Sequence, residues 1–343
     1  MQTISKVLVT TDVPNQKTAW TKARADVSKI LGRKGYSTLH LPELKDPGKV
    51  LSFLLDLRKS IPGQGHIFIE YPFDQRKRTY ILSLFRLLTR TKIYALIHDL
   101  DALRDKSPVG RELAILNSFD GLISHNSKMT SWLVENGFKK PLVDLDLFDY
   151  YSDNKITYQE QHIFSPIKIL FAGNLSFDKS RYIYDAEFGS LKNVSFSAYG
   201  AFFEPERLQS STIDYKGVFD PNIPILDGKY HFGLVWDGPS MDTCAGEYGS
   251  YMKYNNPHKV SLYISLGLPV IVWEDAAIAK FILKNRIGLT IRRLKDLENL
   301  SQQVSSEYYD EMAANVRRLA TKVSEGDFLS SAVNRLVDLQ PVR

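Results

Sequence analysis

The sequence predicts an α/β protein made of two doubly wound domains, each a parallel sheet with helices on both faces. Short apolar segments alternate with helical patterns along most of the chain. At 343 residues the chain exceeds the roughly 250 residues that one hydrophobic core usually serves. A polar stretch without apolar periodicity, residues 151–165, separates the two alternating patterns and is predicted to be a linker.

The first domain is predicted to span residues 1–150. It opens with the strand KVLVTTD at Lys6, and the helical pattern that follows closes at Gly35. Further short strands are predicted in the segments GHIFIEYP, KIYALIHD, DGLISHN and KPLVDLDLFD. Helical patterns such as KMTSWLVENGF lie between them, which is typical of parallel strands joined by crossover helices.

The second domain is predicted to span residues 166–325. Its strands are predicted in IKILFAGNLS, NVSFSAYGA, HFGLVWDGPS, LPVIVWED and LTI, and its helices in NPHKVSLYISLG and AAIAKFILKNRIG. Residues 326–343 are predicted to form a C-terminal helix, with a return to the first domain as one option.

Composition narrows the class of protein. Apolar residues make up 43% and charged residues 24%, which is typical of soluble globular proteins. Cys244 is the only cysteine, so an intrachain disulfide and a cysteine metal cluster are both excluded. The N-terminus lacks the pattern of a signal peptide, and no apolar run approaches the ~20 residues that span a bilayer. We therefore expect a cytoplasmic protein that does not cross membranes.

The basic residues cluster in RKRTYILSLFRLLTRTK, from Arg76 to Lys92. This segment is predicted to be a basic amphipathic helix, which either lies on anionic lipid or packs on the core with a solvated basic face. The net charge is only +5, and nucleic-acid binding predicts a continuous basic stripe with interleaved aromatic residues. A membrane surface fits this single segment better than nucleic acid does.

Polar residues follow three strands of the second domain, at strand ends where ligands of open parallel sheets bind. They are Gly173, Asn174 and Ser176 after the first strand, Tyr199 and Gly200 after the second, and Trp236, Asp237 and Gly238 after the third. Glycines at these places let backbone amides approach a phosphate closely, although each one alone is more often a turn residue. Together they indicate an anion site.

The helix that begins near NPHK extends this anion site. Pro257 suits the first turn of a helix, and His258 and Lys259 follow it. Lys259 is therefore predicted to point at a diphosphate, where the helix dipole adds partial positive charge. The alternatives are a solvated lysine at residue 259 and a capping role for His258.

Several runs then carry a resemblance: YMKYNNPHKVSLYISLGLPVIVWEDAAIAKFI, LIHDLDALR, LISHNSKMTSWL, FAGNLS and FGLVWDG. In these runs the chain resembles the bacterial β-1,6-galactofuranosyltransferases of O-antigen and capsule assembly. It is similar, more distantly, to the streptococcal glucosyltransferases that extend O-linked glucose-GlcNAc on serine-rich adhesins. The motifs keep their order from about Thr18 to Ile291 and so cover most of the chain.

The resemblance implies the GT-B fold, in which two Rossmann-like domains face each other across a cleft and the second holds a UDP-sugar. It implies no cofactor and no essential metal. It also implies that Lys259 contacts the diphosphate, that Gly173 and Asn174 lie beneath the phosphates, that Tyr199 meets uracil and that Thr18 faces the donor. The adhesin enzymes have an arginine shortly after the Gly-Asn turn, where this chain offers Lys179 instead.

A β-linked product from an α-linked donor requires inversion by a single displacement, with a general base on the acceptor hydroxyl. Asp99 and Asp101 are the first candidates, because alternate positions at a strand end point to the same side. His98 and His125 are the next. The aspartates also suit helix capping, and together with His98 they raise the possibility of a metal site, which the absence of a second ligand cluster disfavours.

The predicted function is transfer of galactofuranose to a cell-surface glycan precursor of an O-antigen, capsule or exopolysaccharide. Arg104, Arg111 and His125 are predicted to contact the acceptor, which is expected to be lipid-linked at the inner face of the cytoplasmic membrane. The alternatives are transfer from UDP-glucose or UDP-galactopyranose, and a non-catalytic sugar-nucleotide-binding protein. A homo-oligomer is a further option.

Overall fold

The structure is a computed structural model that describes residues 4–11, 19–42, 45–73, 86, 90–151, 165–209, 213–224 and 228–339. The chain forms two compact units. Unit 1 comprises residues 1–147 together with 326–343, and unit 2 comprises residues 148–325.

Unit 1 contains a six-stranded parallel sheet in the order β2-β1-β3-β4-β5-β6. The strands are β1 (Ser5–Thr10), β2 (Ser37–His40), β3 (Gln64–Tyr71), β4 (Arg90–Ile97), β5 (Gly121–Ser124) and β6 (Leu142–Asp144). The helices before the crossing to unit 2 are α1 (Ala19–Arg33), α2 (Pro47–Ser60), α3 (Asp101–Arg104), α4 (Val109–Leu116) and α5 (Ser127–Glu135). The strand order reverses between β1 and β3.

Local signals explain where the helices of unit 1 begin. Asp46 caps α2 by accepting hydrogen bonds from the backbone amides of Gly48 and Lys49, and Pro47 occupies the first helical position. Asn126 caps α5 in the same way, through Lys128 and Met129. The sheet is buried because apolar runs such as Ile67–Ile69 pack under these helices.

Unit 2 contains a second six-stranded parallel sheet, in the order β12-β11-β10-β7-β8-β9. The strands are β7 (Ile167–Ala172), β8 (Val194–Tyr199), β9 (Ile213–Tyr215), β10 (Phe232–Val235), β11 (Val270–Trp273) and β12 (Gly288–Ile291). The helices are α6 (Phe177–Ser180), α7 (Ala186–Gly189), α8 (Gly246–Tyr251), α9 (His258–Ser265), α10 (Ala279–Asn285), α11 (Leu300–Gln303) and α12 (Ser306–Glu325). The order reverses between β7 and β10, the point at which doubly wound sheets bind ligands.

The last helix, α13 (Asp327–Leu339), belongs to unit 1 and contacts β5, β6 and α1. Gly326, with φ +82°, makes the turn that separates it from α12. The Arg335 guanidinium donates a 2.6 Å hydrogen bond to the carbonyl of Asp144. These contacts add the end of the chain to the sheet of unit 1.

The prediction of two doubly wound parallel sheets is confirmed. The sequence did not indicate β2 or β9, because both are short and carry polar residues in place of an apolar run. The linker predicted at 151–165 lies outside the described residues except at its ends.

The end of the basic segment differs from the predicted helix. Arg90, Thr91 and Lys92 were assigned to the helix but belong to β4, where they pair with the start of β3. Arg86 forms an ion pair of 3.2 Å with Asp120 and donates to the Ser118 carbonyl, so this arginine is held by unit 1. The rest of the segment lies outside the described residues.

Candidate functional site

The reversal point of unit 2 brings three predicted residues together. Gly173 directly follows β7, Asp237 lies two residues beyond β10, and Lys259 is the second residue of α9. The Lys259 Nζ lies 2.6 Å from Asp237 Oδ1 and 4.5 Å from the centre of the Phe171 ring. Parallel strands that end at one edge and a helix that begins there place an ammonium, a carboxylate and a turn glycine side by side.

Lys259 is buried, with 9% of its surface exposed. Burial lowers the pKa of its ammonium, while the neighbouring Asp237 carboxylate opposes that shift. The cation–π contact with Phe171 gives the charge a second favourable neighbour. Because the ammonium is buried, water screens its charge only weakly, and its attraction for a nearby anion is correspondingly strong.

A second lysine shares the same carboxylate. The Lys179 Nζ, from α6, lies 3.9 Å from Asp237 Oδ2 and 5.0 Å from the centre of the Tyr248 ring. The carbonyl of Lys179 accepts a 2.9 Å hydrogen bond from the Gly238 amide, which ties α6 to the loop after β10. Two ammoniums around one carboxylate leave a net positive charge, so the cluster favours an anion.

Two glycines bring the backbone close to this cluster. A Cβ on Gly173 would lie 2.8 Å from the Lys259 Cε, and a Cβ on Gly200 would lie 1.7 Å from the Gly173 carbonyl oxygen. The Gly173 amide donates to the Tyr199 carbonyl at 2.9 Å, and the Gly200 amide donates to Gly217. Only glycine permits this close approach of the chain after β7 to the chain after β8.

Asn174 and Ser176 shape the turn after Gly173. The Asn174 side-chain carbonyl accepts a 2.8 Å hydrogen bond from the Ser176 amide, and the Asn174 backbone carbonyl accepts one of 2.9 Å from the Ser180 hydroxyl. This is an asparagine turn that leads into α6. Both residues thus hold the loop next to Lys179, and their contact with a nucleotide sugar stays a prediction.

Two predicted nucleotide-sugar residues, Trp236 and Tyr199, lie in the core instead of at the surface. The Trp236 ring is fully buried and donates to the Ser240 carbonyl at 2.9 Å. The Tyr199 ring is buried edge-on against Phe219. Because both rings are buried, neither offers a free face to a uracil or a sugar.

His258 is the first residue of α9, and Pro257 holds the N-cap position. The imidazole centre lies 5.8 Å from the Phe148 ring and 5.3 Å from the Tyr150 ring. His258 therefore packs among aromatic residues of unit 2. Its predicted contact with the nucleotide sugar stays a prediction.

The reversal point of unit 1 carries a buried polar cluster that the sequence did not indicate. The Glu70 carboxylate on β3 accepts a short hydrogen bond from the Thr10 hydroxyl on β1, and its Oε1 lies 3.1 Å from His98 Nε2. The Arg24 Nη1, from α1, lies 3.9 Å from Glu70 Oε2. A carboxylate, an imidazole and a guanidinium thus meet at the carboxyl edge of the sheet.

Arg24 is 1% exposed. Its Nη2 donates a 2.7 Å hydrogen bond to the Pro72 carbonyl, and its guanidinium lies over the Trp20 ring. Burial lowers the Arg24 pKa, and the charges of Glu70 and Asp99 oppose that shift. The predictable part of this cluster was His98, since a histidine after a strand is conspicuous, whereas Glu70 is hidden inside the apolar run GHIFIEYP.

Asp99 and Asp101 lie near each other, but for a different reason from the one predicted. β4 ends at Ile97 and Asp101 begins α3, so strand alternation does not relate the two residues. Arg104 joins them instead: its Nη1 donates to Asp99 Oδ2 at 2.8 Å, and its Nη2 lies 3.5 Å from Asp101 Oδ1. Asp105 binds the same guanidinium, so Arg104 is engaged by three carboxylates, and its predicted acceptor contact stays a prediction.

Glu112 holds the start of α3 in place. Its carboxylate accepts hydrogen bonds from the amides of Asp101 and Ala102, at 3.0 and 2.7 Å, and from the Tyr71 hydroxyl at 2.9 Å. Burial raises the Glu112 pKa. No pattern in the sequence points to Glu112, which fixes the position of Asp101 from within α4.

His125, predicted to bind the acceptor, is 2% exposed. Its Nε2 lies 3.1 Å from the Ile97 carbonyl oxygen, and burial lowers its pKa to about 3. The imidazole is therefore neutral at pH 7 and belongs to the core below the carboxyl edge of β4 and β5. Its role toward an acceptor stays a prediction, and Thr18 lies outside the described residues.

Within the described ranges, no group of three or more histidine, cysteine, aspartate and glutamate residues has the arrangement to hold a metal ion. Among the same residues, no helix is both long enough and apolar enough to cross a bilayer.

Family models match both halves of the chain. The N-terminal domain of glucosyltransferase 3-like proteins matches residues 6–147, and their C-terminal domain matches residues 169–336. The chain belongs to the glucosyltransferase 3-like family. It is a glycosyltransferase, so the alternative of a non-catalytic sugar-nucleotide-binding protein is set aside.

Similarity to known glycosyltransferases supports membership in the glucosyltransferase 3-like family. The chain is 33% identical to the β-1,6-galactofuranosyltransferase WbbI of Escherichia coli K12 over 262 residues, which are 76% of this chain and 75% of WbbI. It is 25% identical to glucosyltransferase 3 of Streptococcus gordonii over 89% of this chain and 90% of that protein. The structure of the lipopolysaccharide outer core galactosyltransferase WaaB matches with a TM-score of 0.62 at 11% identity, covering 96% of this chain and 99% of WaaB. The fold is GT-B, as the resemblance implied.

Proposed function

We propose that this glycosyltransferase moves galactofuranose from UDP-galactofuranose to a sugar hydroxyl of a cell-surface glycan precursor, with inversion and without an essential metal. A nucleoside diphosphate sugar as donor is supported by the cluster in unit 2, where Lys259 and Lys179 share the single carboxylate of Asp237. The choice of sugar is supported by the 33% identity to WbbI.

In this proposal unit 2 stabilises the leaving group. As the bond from the anomeric carbon to the phosphate oxygen breaks, negative charge develops on the UDP diphosphate. The Lys259 ammonium, which has Asp237 as its present partner, is poised to move toward that charge, and the start of α9 adds partial positive charge. Lysines and backbone amides then do the work that a divalent metal does in other enzymes.

Unit 1 is proposed to supply the general base. The base takes the proton of the acceptor hydroxyl while the hydroxyl oxygen bonds to the anomeric carbon and UDP departs. Asp99, Asp101 and His98 remain the three candidates. Arg104 holds Asp99, and Glu70 holds His98, so each candidate has a partner that fixes its orientation.

Glucosyl transfer from UDP-glucose is the second candidate function, because the identity to glucosyltransferase 3 extends over 89% of the chain. Transfer from UDP-galactopyranose is compatible with the same anion site. The proposal also includes a lipid-linked acceptor, a homo-oligomer and peripheral contact with anionic membrane through the part of the basic segment that precedes β4, residues 76–89. Sedimentation with anionic and neutral vesicles tests the membrane contact, and equal binding to both contradicts it.

The deciding experiment measures product formation by the full chain with UDP-galactofuranose, UDP-galactopyranose and UDP-glucose, each with and without chelator. Turnover of the furanose donor in chelator, with a β-linked product, supports the proposal. Turnover only with a pyranose donor overturns the sugar assignment, and loss of turnover in chelator overturns metal independence. Asp99→Asn, Asp101→Asn and His98→Asn then identify the base, because its loss typically lowers kcat by about 10²- to 10⁴-fold.

A further inference from the structure

The hydroxyl of Tyr263 lies between two strands at the reversal point of unit 2. It accepts a 2.8 Å hydrogen bond from the Ala172 amide on β7 and donates one of 3.1 Å to the Leu234 carbonyl on β10. β7 and β10 are neighbours in the sheet, and neighbouring parallel strands ordinarily bond to each other through their own backbone groups. Here a side chain of the helix α9 takes the place of a backbone partner.

The pairing of the two strands ends just before this hydroxyl. The last matched pair is Gly233 with Leu170, although both strands continue beyond it. One residue further on, the same register would let the Ala172 amide donate directly to the Leu234 carbonyl. Because Tyr263 bridges these two groups instead, they lie farther apart than a single hydrogen bond, and the strands separate at their carboxyl ends.

The Tyr263 ring reaches the strands from α9, one helical turn after Lys259. Residues four apart lie on the same face of a helix, so the ring and the ammonium both face the reversal point. Tyr263 is fully buried, and its ring covers Gly233, where a Cβ would lie 2.2 Å from the ring carbon Cγ. Glycine at this place on β10 lets the helix approach closely enough for the hydroxyl to enter between the strands.

The Lys259 ammonium lies at the separated strand ends. Gly173 directly follows β7 and Asp237 follows β10. The Lys259 Nζ is 2.6 Å from Asp237 Oδ1, and a Cβ on Gly173 would lie 2.8 Å from the Lys259 Cε. Burial raises the pKa of Tyr263, so its hydroxyl keeps the proton that it donates to the Leu234 carbonyl.

We infer that Tyr263 is a positioning residue for glycosyl transfer, whose hydroxyl holds the ends of β7 and β10 apart and sets the depth at which Lys259 meets the leaving diphosphate. Because Tyr263 is buried between the strands, it acts through Lys259 and not by contact with the substrate. A misplacement of about 1 Å in a group that stabilises the transition state can cost about 10²-fold in rate. The inference rests on the proposed role of Lys259 at the diphosphate.

Tyr263→Phe tests this role, because it removes the hydroxyl and keeps the ring over Gly233. The Ala172 amide and the Leu234 carbonyl then lose their bridge and can bond directly, which draws the strand ends together. We expect kcat of the full chain with UDP-galactofuranose to fall by about 10- to 100-fold. The change in KM is expected to be smaller, because charge on the diphosphate develops mainly in the transition state. Thermal unfolding verifies that the variant is folded.

Tyr309→Phe is the matched control. The Tyr309 hydroxyl is buried on α12 and donates a 3.1 Å hydrogen bond to the His231 carbonyl, so this variant also loses a buried hydrogen bond of unit 2. It is expected to keep the kcat of the wild type. A comparable fall of kcat in Tyr309→Phe overturns the inference, because loss of a buried hydrogen bond then explains both variants.

A double-mutant cycle separates action through Lys259 from a general effect on the fold. In the Lys259→Met background, Tyr263→Phe is expected to leave kcat nearly unchanged, because the group that Tyr263 positions is already absent. A further loss as large as that in the wild-type background overturns the inference, and so does an unchanged kcat in Tyr263→Phe alone.

Failure of the proposed function gives a different result. Unchanged kcat in Lys259→Met alone refutes the proposed role of Lys259 and the inference with it, whereas a large loss in Lys259→Met with full activity in Tyr263→Phe refutes only the inference. The same cycle with UDP-glucose applies if that sugar is the one transferred, so the outcome does not depend on the choice of sugar.

Discussion

Asp237 and Lys259 form a buried ion pair in which Oδ1 lies 2.6 Å from Nζ and each side chain is 10% exposed. Asp237 neutralises the charge of Lys259, while the neighbouring Lys179 keeps the site positive. Under the proposed function, a diphosphate enters a site where the buried ammonium is already oriented, and the ammonium has a charged partner before the diphosphate binds.

Replacing Lys259 tests whether this ammonium stabilises the leaving group. Lys259→Met is expected to lower kcat by about 10²- to 10³-fold, the usual effect of removing one preorganised group that stabilises transition-state charge. Lys179 remains near Asp237, so the carboxylate is not left alone. Steady-state kinetics with Lys253→Met, an exposed lysine of the same unit, as control checks the result, and unchanged kcat contradicts the assignment.

Gly200 offers a steric test of the same site. Gly200→Ala places a Cβ 1.7 Å from the Gly173 carbonyl oxygen, which forces the two loops apart and away from Lys259. We expect UDP affinity to fall at least tenfold with a smaller change in thermal stability. Gly63→Ala, which meets nothing within 4 Å, is the matched control. Wild-type UDP affinity in Gly200→Ala means that the close approach is not needed for binding.

The gathering of these residues at the reversal point of unit 2 could be predicted from the sequence because its signals are local. Glycines and polar residues follow apolar runs at Gly173, Gly200 and Asp237, and the rule that ligands bind at carboxyl strand ends gathers them. Lys259 followed from the start of a helix after Pro257. The general topology of doubly wound sheets is enough to bring these residues together, so the exact strand order of this chain was not needed.

Side-chain direction and long-range partners could not be predicted. Trp236 and Tyr199 follow or end strands, and sequence alone does not show that both rings turn into the core. Glu70 sits in an apolar strand, and its partners Thr10 and His98 are far away in sequence. The prediction that strand alternation relates Asp99 to Asp101 was wrong, because β4 ends at Ile97 and a helix begins at Asp101.

Glu70 is expected to position His98 and to neutralise Arg24. Glu70→Gln keeps the shape but leaves the buried guanidinium without its carboxylate, so the free energy of unfolding is expected to fall by about 3 kcal/mol. If His98 is the base, kcat falls as well, with little change in KM, because the ring loses the partner that fixes its orientation. Glu135→Gln, exposed on α5, is the control for urea unfolding and kinetics. Full stability of Glu70→Gln contradicts the role of this carboxylate.

His66 predicts a pH dependence of stability. It is 1% exposed on β3, neither ring nitrogen has a hydrogen-bond partner among the described residues, and burial followed by the charges of Lys6 and Lys92 lowers its pKa from 6.5 to about 4. Between these values the unfolded chain binds a proton that the folded chain does not, so stability falls as the pH falls from about 6.5 to about 4. At pH 5 the loss from this group is about 2 kcal/mol.

His66→Phe removes the titrating group and keeps a ring of similar size beside Tyr94, whose centre lies 5.7 Å away. We expect the variant to be at least as stable as the wild type at pH 7, because an unsatisfied buried polar group is lost. It should also lose about 2 kcal/mol less than the wild type between pH 7 and pH 5. Urea unfolding at both pH values measures this difference, with His40→Phe on the exposed end of β2 as control. If His66 is the titrating group, the free energy of unfolding falls less in His66→Phe than in the wild type between pH 7 and pH 5. An equal fall in both proteins contradicts this role and assigns the proton uptake to another group.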